Sequence, residues 1–329
     1  MKKNFLFVFL ILCVCFFSGC GKHNGSDVLK KMSEKISSLN SYHLSGELEI
    51  INNENSYLYN VDVSFLKDNN FRVCLVNKTN NHEQVILRNN DGVYVINPGL
   101  NKSFKFQSDW PYNNSQSYLL HNLINDINND SEMNIEKDDN GYIFTVKTNY
   151  SNNKDLVFQK IYVNNDNNIY KVEVYDSNNI KKLIMNIESI DYNSSVDDGL
   201  FILDKNLSYN QSDSSVSKID DIVYPMYIPM NTYLSSQDKV SLSNGERVIL
   251  TFSGDYPFML IQETINSSDS SLISVSGDPL QLSDSVAVID DSSITWISDG
   301  IEYYLVSNVL EPSQLIDVAN SITVASITK

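Results

Sequence analysis

Short segments with a two-residue period dominate this chain and limit the folds open to it. In the segment 57–65 the odd positions are apolar, whereas the even positions from 60 to 64 are polar. This alternation is typical of an antiparallel strand with one buried face. Turn residues separate such segments, and Asn90-Asp91-Gly92 is a strong hairpin signal because Asp-Gly tolerates positive φ. The sequence therefore predicts an up-and-down antiparallel meander.

One helix precedes the meander and a second interrupts it. Apolar residues recur at helical spacing between 28 and 39, behind the capping residue Ser26, and again between 118 and 127. The predicted fold class is therefore α+β, mostly antiparallel β. Further strands are predicted near 71–76, 84–88, 93–96, 103–106, 142–147, 156–163, 169–175 and 182–190.

The N-terminus has the parts of an export signal. Two lysines precede thirteen apolar residues at 5–17, and two small residues precede Cys20. A helix needs about 20 apolar residues to cross a bilayer, so a cleaved signal peptide at 1–19 is predicted instead of an anchor. The alternatives are a secreted protein that begins at Cys20 and an uncleaved helix.

The segment 17–20 resembles the bacterial lipobox, in which the cysteine becomes the first residue and carries diacylglycerol on its sulfur. The resemblance implies lipidation of Cys20 with acyl chains such as palmitate, a lipidated tether at 20–25, and a location at the extracytoplasmic face of the cell membrane. Two acyl chains hold a protein at a membrane without the help of basic side chains.

Cys74 is the cysteine that remains in the mature chain. Of the four cysteines, two lie in the signal and Cys20 is expected to be acylated, so no intrachain disulfide is predicted and the fold must rest on its cores. Cys74 lies in an alternating segment, which predicts a buried strand residue that behaves as a small hydrophobe. A reactive role is the alternative.

A second unit follows a polar linker. Residues 204–222 are rich in Ser, Asp and Asn, which predicts an interdomain linker between domains at 26–203 and 223–329. The tail at 223–329 holds 13 acidic and 3 basic residues. Its short strands and a C-terminal helix that begins near Pro312 predict a small acidic α+β domain, displayed on the linker.

The charge of the 329-residue chain restricts its partners. There are 24 Lys and Arg against 41 Asp and Glu, a net charge of -17. Such a surface repels nucleic acid and anionic lipid, so nucleic acid is not a predicted partner and the lipid must do the anchoring. The sequence contains no zinc motif, nucleophile elbow, phosphate loop or Cys-x-x-Cys pair. It therefore predicts a protein that is not an enzyme and holds no metal or cofactor; an enzyme is the least favoured hypothesis.

Four residues stand out as candidate contacts. Trp110, followed by a proline, either anchors a partner or guards a cavity at the rim of the sheet, or fills a gap beneath the second helix, which is the favoured role. Arg72, Arg88 and Arg247 are the only three arginines. Each is expected to pair with a carboxylate, or alternatively to bind a ligand carboxylate or a headgroup.

Three longer motifs carry a family resemblance: VNKTNNHEQVILRN at 76–89, NKSFKFQSDWP at 101–111 and NSQSYLL at 114–120. Through them residues 26–203 resemble the outer-membrane lipoprotein-carrier superfamily (LolA/LolB-like), and most closely the clostridial-type sporulation and germination lipoproteins. The resemblance implies an incomplete, strongly curved β-barrel with helices in its concave face. The tail looks like an uncharacterised domain appended to such proteins.

The resemblance also implies a binding role. The leading hypothesis is a membrane-anchored scaffold of sporulation or germination that holds or activates a cell-wall hydrolase, since a related germination lipoprotein activates a cortex-trimming amidase. The alternative is a hydrophobic-cavity module that binds an acyl chain, a lipid or a lipoprotein. The two differ in the concave face, which must stay open in a carrier.

Overall fold

The computed structural model describes residues 25–207, 218–243, 245–265 and 271–322. The predicted signal peptide and Cys20 lie outside these ranges, as do residues 208–217 of the predicted linker, so cleavage, lipidation and the linker stay predictions. Within the described ranges, no helix is long and apolar enough to cross a membrane.

The first eleven strands form one open, curved sheet. They are β1 Ser41–Asn52, β2 Asn55–Leu66, β3 Asn70–Asn77, β4 Glu83–Asn89, β5 Gly92–Asn97, β6 Lys102–Phe106, β7 Asn134–Asp138, β8 Gly141–Lys147, β9 Leu156–Asn164, β10 Ile169–Asp176 and β11 Lys181–Tyr192. Across the sheet the order is β6-β5-β4-β3-β2-β1-β11-β10-β9-β8-β7, with antiparallel neighbours throughout. We call this unit the half-barrel.

Two helices fill the concave face of the half-barrel. They are α1, Gly25–Ser37, and α2, Leu120–Asn129. Val28, Met32 and Ile36 of α1 recur at helical spacing and share one core with α2 and with the inward residues of β1–β6 and β8–β11. The predicted fold class, mostly antiparallel β with helices in the concave face of an incomplete barrel, is confirmed.

The chain crosses to the convex face after β11. Two 3-10 turns, Asp198–Phe201 and Leu203–Asn206, place Phe201 against Cys74 and the outward residues of β4 and β5. Cys74 is the free cysteine of the described residues and is buried. Burial raises the pKa of its thiol to about 12, so the thiolate that a reactive role needs is disfavoured.

The tail forms a second sheet. Its strands are β12 Thr232–Leu242, β13 Gly245–Gly254, β14 Phe258–Thr264, β16 Asp278–Gln281, β17 Val286–Ile289, β18 Ser293–Ser298 and β19 Ile301–Val306, in the order β12-β13-β14-β19-β18-β17-β16. The helix α3, Pro312–Asn320, packs Leu315 and Val318 into the core of this sheet. At its start, Gln314 Oε1 accepts a hydrogen bond from the Glu311 N–H at 3.1 Å.

The tail is docked onto the half-barrel. Its remaining strand β15, Ser271–Val275, pairs in parallel with β6 and becomes the twelfth strand of the larger sheet. Ile265, Val286, Val288 and Ile297 of the tail belong to the half-barrel core. The expectation of a tail displayed apart from the first unit is therefore wrong, because tail side chains complete that core. The boundaries at 203 and 223 stay predictions.

Candidate functional site

Buried polar contacts hold the tail on the end of the half-barrel that carries the β1–β2 and β3–β4 turns. Gln84, 3% exposed, donates from Nε2 to the Val286 carbonyl at 3.3 Å and accepts at Oε1 from the Val286 N–H at 2.6 Å. The Tyr59 hydroxyl donates to the Ser283 carbonyl at 2.9 Å. Loss of either partner would leave a desolvated polar group, which makes these contacts specific as well as stabilising.

Asp278 at the start of β16 is a second polar hub of the interface. Its Oδ1 accepts hydrogen bonds from the Ser108 hydroxyl and, at 3.0 Å, from Asn113 Nδ2. Its Oδ2 accepts from Asn152 Nδ2 at 3.3 Å. Ser108 and Asn113 lie on either side of Trp110, so a carboxylate of the tail orders the loop that carries the predicted aromatic residue.

A cavity of about 150 Å³ remains between the half-barrel and the tail. We call it the interface cavity. Its lining includes Trp110, Leu183 and Leu282 as apolar groups and Asp155, Lys182 and Asp317 as charged groups. Ligand pockets usually measure about 300–1,000 Å³, so this space is small for an acyl chain. The open concave face that a carrier needs is not found among the described residues.

Charged groups from both units meet at the interface cavity. Asp155 and Lys182 belong to the half-barrel and Asp317 to α3. Burial raises the pKa of Asp317, the charge of Asp155 raises it further, and Lys182 partly opposes the increase. Lys182 also lies 3.6 Å from Asp176. The interface cavity thus places a carboxyl that resists ionisation beside a lysine and an aspartate of the half-barrel.

Asp126 places a second titratable carboxyl inside the half-barrel. Its Oδ2 accepts a hydrogen bond from Gln159 Nε2 at 2.7 Å. Burial raises the pKa of Asp126 to about 6, against the opposing effect of hydrogen bonds from Ser115 and Gln159. Tyr150, whose pKa is raised by burial and then by Asp126, also lines the interface cavity. The filled concave face thus contains a group that titrates close to neutral pH.

Trp110 is buried, at 1% exposure, and lines the interface cavity. Phe71 packs against it edge-on, with 6.5 Å between ring centroids. Arg88 donates a hydrogen bond from Nη1 to the Trp110 carbonyl, and its guanidinium lies 5.1 Å from the centroid of the Tyr112 ring. Arg88 thus has a carbonyl partner where a carboxylate was expected. The gap-filling role predicted for Trp110 fits this position, and a direct contact with a partner stays a prediction.

The other two arginines lie away from the interface cavity. Arg72 is on the convex face, where its Nε donates to Asn206 Oδ1 at 2.7 Å and its Nη2 lies 3.9 Å from Glu83. Arg247 pairs with Glu263 at 2.6 Å within the tail sheet. The structure therefore does not bring Arg72 together with Trp110 and Arg88, and its predicted role as a partner contact stays a prediction.

Glu173 organises a cluster on the outward face of β9–β11. Its Oε1 lies 2.8 Å from Lys181 Nζ and 3.2 Å from Lys171 Nζ, while Oε2 accepts from the Tyr162 and Tyr175 hydroxyls at 2.6 Å each. Burial opposes the charged form, but these four partners outweigh it and lower the pKa of Glu173 to about 2. Both carboxylate oxygens of Glu173 have partners within the cluster, which is typical of a structural network.

The described residues contain no cluster of metal ligands. In those ranges no group of three His, Cys, Asp or Glu side chains lies close enough to hold a metal ion. His43 Nε2 lies 2.6 Å from Asp62 Oδ2. Burial lowers the pKa of His121, which packs against Phe65 at 4.4 Å between ring centroids. His121 is thus part of an aromatic cluster in the core, whereas His43 and Asp62 are partly exposed, at 40% and 45% of their side chains.

Comparison with known proteins identifies the family of this chain. The family model described as "Sporulation protein YdcC-like" matches residues 1–201. The chain belongs to this family. The resemblance to sporulation proteins carried by the motifs between 76 and 120 is thereby confirmed. The YdcC-like match spans the half-barrel up to the 3-10 turns on its convex face.

A curated relative extends the similarity into the tail. The sporulation protein YdcC of Bacillus subtilis strain 168 is 34% identical over 330 residues, covering 98% of this chain and 97% of the relative. The alignment therefore includes the tail as well as the half-barrel. The similarity to this relative therefore extends over both units of the chain.

Solved structures with a similar fold have low sequence identity. One is in the complex of Pseudomonas aeruginosa MucA and MucB, at 13% identity and a TM-score of 0.34, covering 91% of this chain and 98% of that chain. Another is in the complex of the CwlD amidase from Clostridioides difficile with the GerS lipoprotein, at 19% identity and a TM-score of 0.32, covering 52% and 97%. A LolA-superfamily protein from Nitrosomonas europaea matches at 13% identity and a TM-score of 0.32, covering 54% and 97%. At these scores the likeness gives no information on the function of the YdcC-like chain.

Sequence reasoning missed the polar residues that build this site. The sequence pattern predicts a strand position for Gln84 and gives Asp278 no role. Their partners are far away in sequence, 202 residues for Gln84 and Val286 and 170 for Asp278 and Ser108. Gln84 lies between Glu83 and the apolar run at 85–87, so no local pattern marks it as a buried contact.

Proposed function

We propose that this YdcC-like protein is a non-catalytic binding protein of sporulation or germination that holds or activates a cell-wall enzyme. Diacylglycerol on Cys20 keeps it at the extracytoplasmic face of the cell membrane. A cortex-trimming amidase is the first candidate partner, because the sequence resemblance to germination lipoproteins implies one. Membership of the YdcC-like family supports the sporulation setting.

The filled concave face is the observation that carries this proposal. Two helices occupy the half-barrel, the tail closes the end with the β1–β2 and β3–β4 turns, and the interface cavity holds about 150 Å³. A lipid carrier needs an accessible pocket of at least about 300 Å³, whereas a scaffold can bind through its outer surface. The module for an acyl chain, a lipid or a lipoprotein is therefore the weaker alternative. Co-purified lipid in native mass spectrometry is the result that would favour it.

Capture from sporulating cells tests the partner. We expect a tagged, full-length protein, crosslinked in intact cells, to enrich a cell-wall hydrolase over the same capture from vegetative cells, because a scaffold must hold its enzyme at the membrane. Quantitative mass spectrometry of the membrane fraction measures the enrichment. The tagged Cys20→Ala protein is the control and should lose the enzyme from that fraction. Repeated capture without any cell-wall enzyme would remove the proposed function.

Replacement of the lipidation site tests the anchor. We expect Cys20→Ala to abolish diacylglycerol transfer and signal cleavage, so that the precursor keeps its full length. Intact-mass spectrometry and lipid labelling measure the change. Cys74→Ala is the matched control, since Cys74 is buried in the fold, and it should stay lipidated. If Cys20→Ala has the same intact mass, apart from the substitution itself, and the same lipid labelling as the wild-type protein, Cys20 is not the lipidation site.

A further inference from the structure

The start of the described chain and the docked tail lie at opposite ends of the half-barrel. Because consecutive strands are antiparallel, the β1–β2 and β3–β4 turns lie at one end and the β7–β8 turn lies at the other. Asn52 and Asn80, in the first two turns, bind the tail. Gly25, where α1 begins, packs against Ile135 and Tyr142 beside the β7–β8 turn.

A lipid on Cys20 would fix which end faces the bilayer. Five residues lead from Cys20 to Gly25, and they span at most about 17 Å when fully extended. The strands β1 and β2 have 12 residues each, which corresponds to a length of about 40 Å. The tail of the anchored protein therefore projects away from the membrane.

The strand β12 is the edge of the tail sheet farthest from the half-barrel. The sheet runs from β12 at one edge to β16 at the other, and β16 carries Asp278, which binds the half-barrel. β12 is 11 residues long, pairs with β13 on one side, and exposes every side chain from Tyr233 to Ser241. Within the described residues its other backbone edge has no strand partner, and such an edge is a template for a further strand.

The segment that leads into β12 exposes apolar side chains. Residues 222–234 contain no charged residue, and Met226, Met230 and Tyr233 are 85%, 80% and 62% exposed. Tyrosine is enriched among the residues that dominate protein interfaces. Methionine adapts its shape to varied partners. An apolar stretch as exposed as this one is typical of an interaction site.

Acidic side chains flank this apolar surface. Asp220, Asp221 and Asp238 are exposed, and none of them forms an ion pair within the part of the chain that the structure describes. The cation of β12 is already engaged, because Lys239 Nζ lies 2.8 Å from Glu246. The surface therefore combines a free strand edge, apolar side chains and an excess of negative charge, since Asp220, Asp221 and Asp238 outnumber the exposed Lys218.

We propose that β12 is a docking edge that accepts an extended, basic and apolar segment of a partner protein as an added strand. Backbone hydrogen bonds along β12 provide the affinity, as in other cases of strand addition. Lysine or arginine of the segment lies near Asp238, and apolar residues pack near Tyr233 and Val240. The inference rests on the proposed binding function and adds the surface and the chemistry of the partner.

Two other occupants fit this edge less well. A second copy of the chain would bring together two tails that each hold 13 acidic and 3 basic residues at 223–329, and like charges oppose such a contact. A bilayer lies at the opposite end of the half-barrel in the anchored protein. A basic protein segment meets neither obstacle.

Synthetic peptides test the docking edge on the intact protein without its signal. An alternating Val-Lys peptide of about ten residues is expected to bind, and to bind more weakly as salt screens the charges. The same peptide with a central proline, and an alternating Val-Glu peptide, should bind at least about tenfold more weakly, because the first breaks the strand and the second reverses the charge. Fluorescence anisotropy measures the binding.

Hydrogen exchange and matched variants locate the contact. Bound Val-Lys peptide should slow amide exchange in 232–242 and leave β7, the free edge of the larger sheet, unchanged. Asp238→Lys should weaken binding by about tenfold. Glu136→Lys is the matched control, since Glu136 is an exposed carboxylate of β7, and it should leave binding unchanged.

Several outcomes overturn the docking edge: no binding of the Val-Lys peptide, equal binding of all three peptides, or wild-type affinity in Asp238→Lys. Protection of 232–242 by self-association, or by phosphatidylcholine vesicles alone, would assign the edge to a second copy or to lipid. If the peptide fails while capture from cells recovers a cell-wall enzyme, the proposed function stands and β12 is not its contact. If the peptide binds and capture recovers no such enzyme, the proposed function fails alone.

Discussion

Trp110→Ala is expected to lower the free energy of unfolding by about 4 kcal/mol, within the range for a fully buried aromatic side chain. The indole packs against Phe71 on one side and lines the interface cavity on another. Its removal enlarges a space of about 150 Å³ that the surrounding strands already fail to fill, so the site cannot easily collapse. Urea unfolding followed by far-UV circular dichroism measures the loss.

Tyr112→Ala is the matched control for this substitution. Tyr112 lies in the same loop but is 51% exposed, so its removal should cost at most about 1 kcal/mol. The enlarged cavity of Trp110→Ala should also bind a small apolar probe such as benzene. A Trp110→Ala protein with the wild-type midpoint and slope would show that the indole does not support the core.

Local patterns predicted the elements that bury one face. The alternation at 57–65 predicted the strand observed as Asn55–Leu66, because half its side chains enter the core. The Asn-Asp-Gly signal lies between β4 and β5 as predicted, with Gly92 at a φ of 144°. The spacing between 28 and 39 predicted α1, whose apolar residues face the same core.

Three strands that no apolar alternation predicts, β7, β12 and β16, have no such face. β12 exposes side chains on both sides along nearly its whole length, and β7 has no buried residue, so neither shows a two-residue apolar period. β16 has four residues, one of them a proline, which is too short for a pattern. These strands are specified by their neighbours in the sheet and not by their own composition.

The docking of the tail could not be predicted for a different reason. Val286 and Ile297 have the apolar pattern of core residues. Their sequence neighbours do not indicate which core they enter, and in the structure it is the core of the half-barrel. The Ser, Asp and Asn of residues 204–222 are typical of a flexible linker, and this composition predicted a tail that is independent of the half-barrel. Trp110 was found because a tryptophan before a proline is rare in this chain, whereas Gln84 gains its meaning only when Val286 is placed beside it.

Asp126→Asn is expected to remove a pH dependence of stability and to raise the free energy of unfolding above pH 7 by about 2 to 3 kcal/mol. The pKa of Asp126 is raised to about 6 from an ordinary value of 3.8, chiefly by burial. The folded state therefore binds the proton more tightly than the unfolded state. The stabilisation is fully present below pH 3.8 and is lost as the pH rises through 6. Asparagine keeps the shape of the side chain and carries no charge at any pH.

The difference between the two proteins isolates this carboxyl from the others. Thermal or urea unfolding of wild type and Asp126→Asn between pH 4.5 and 8 gives the difference in their free energies of unfolding. This difference should rise by about 1.4 kcal/mol per pH unit and level off above about pH 6, the pKa of Asp126 in the folded protein. Groups common to both proteins, such as Glu173 and Asp317, cancel in that difference. Asp139→Asn, at an exposed turn, is the matched control and should give a flat difference. A flat profile for Asp126→Asn as well would show that its carboxyl is solvated, and that the half-barrel core admits water beside α2.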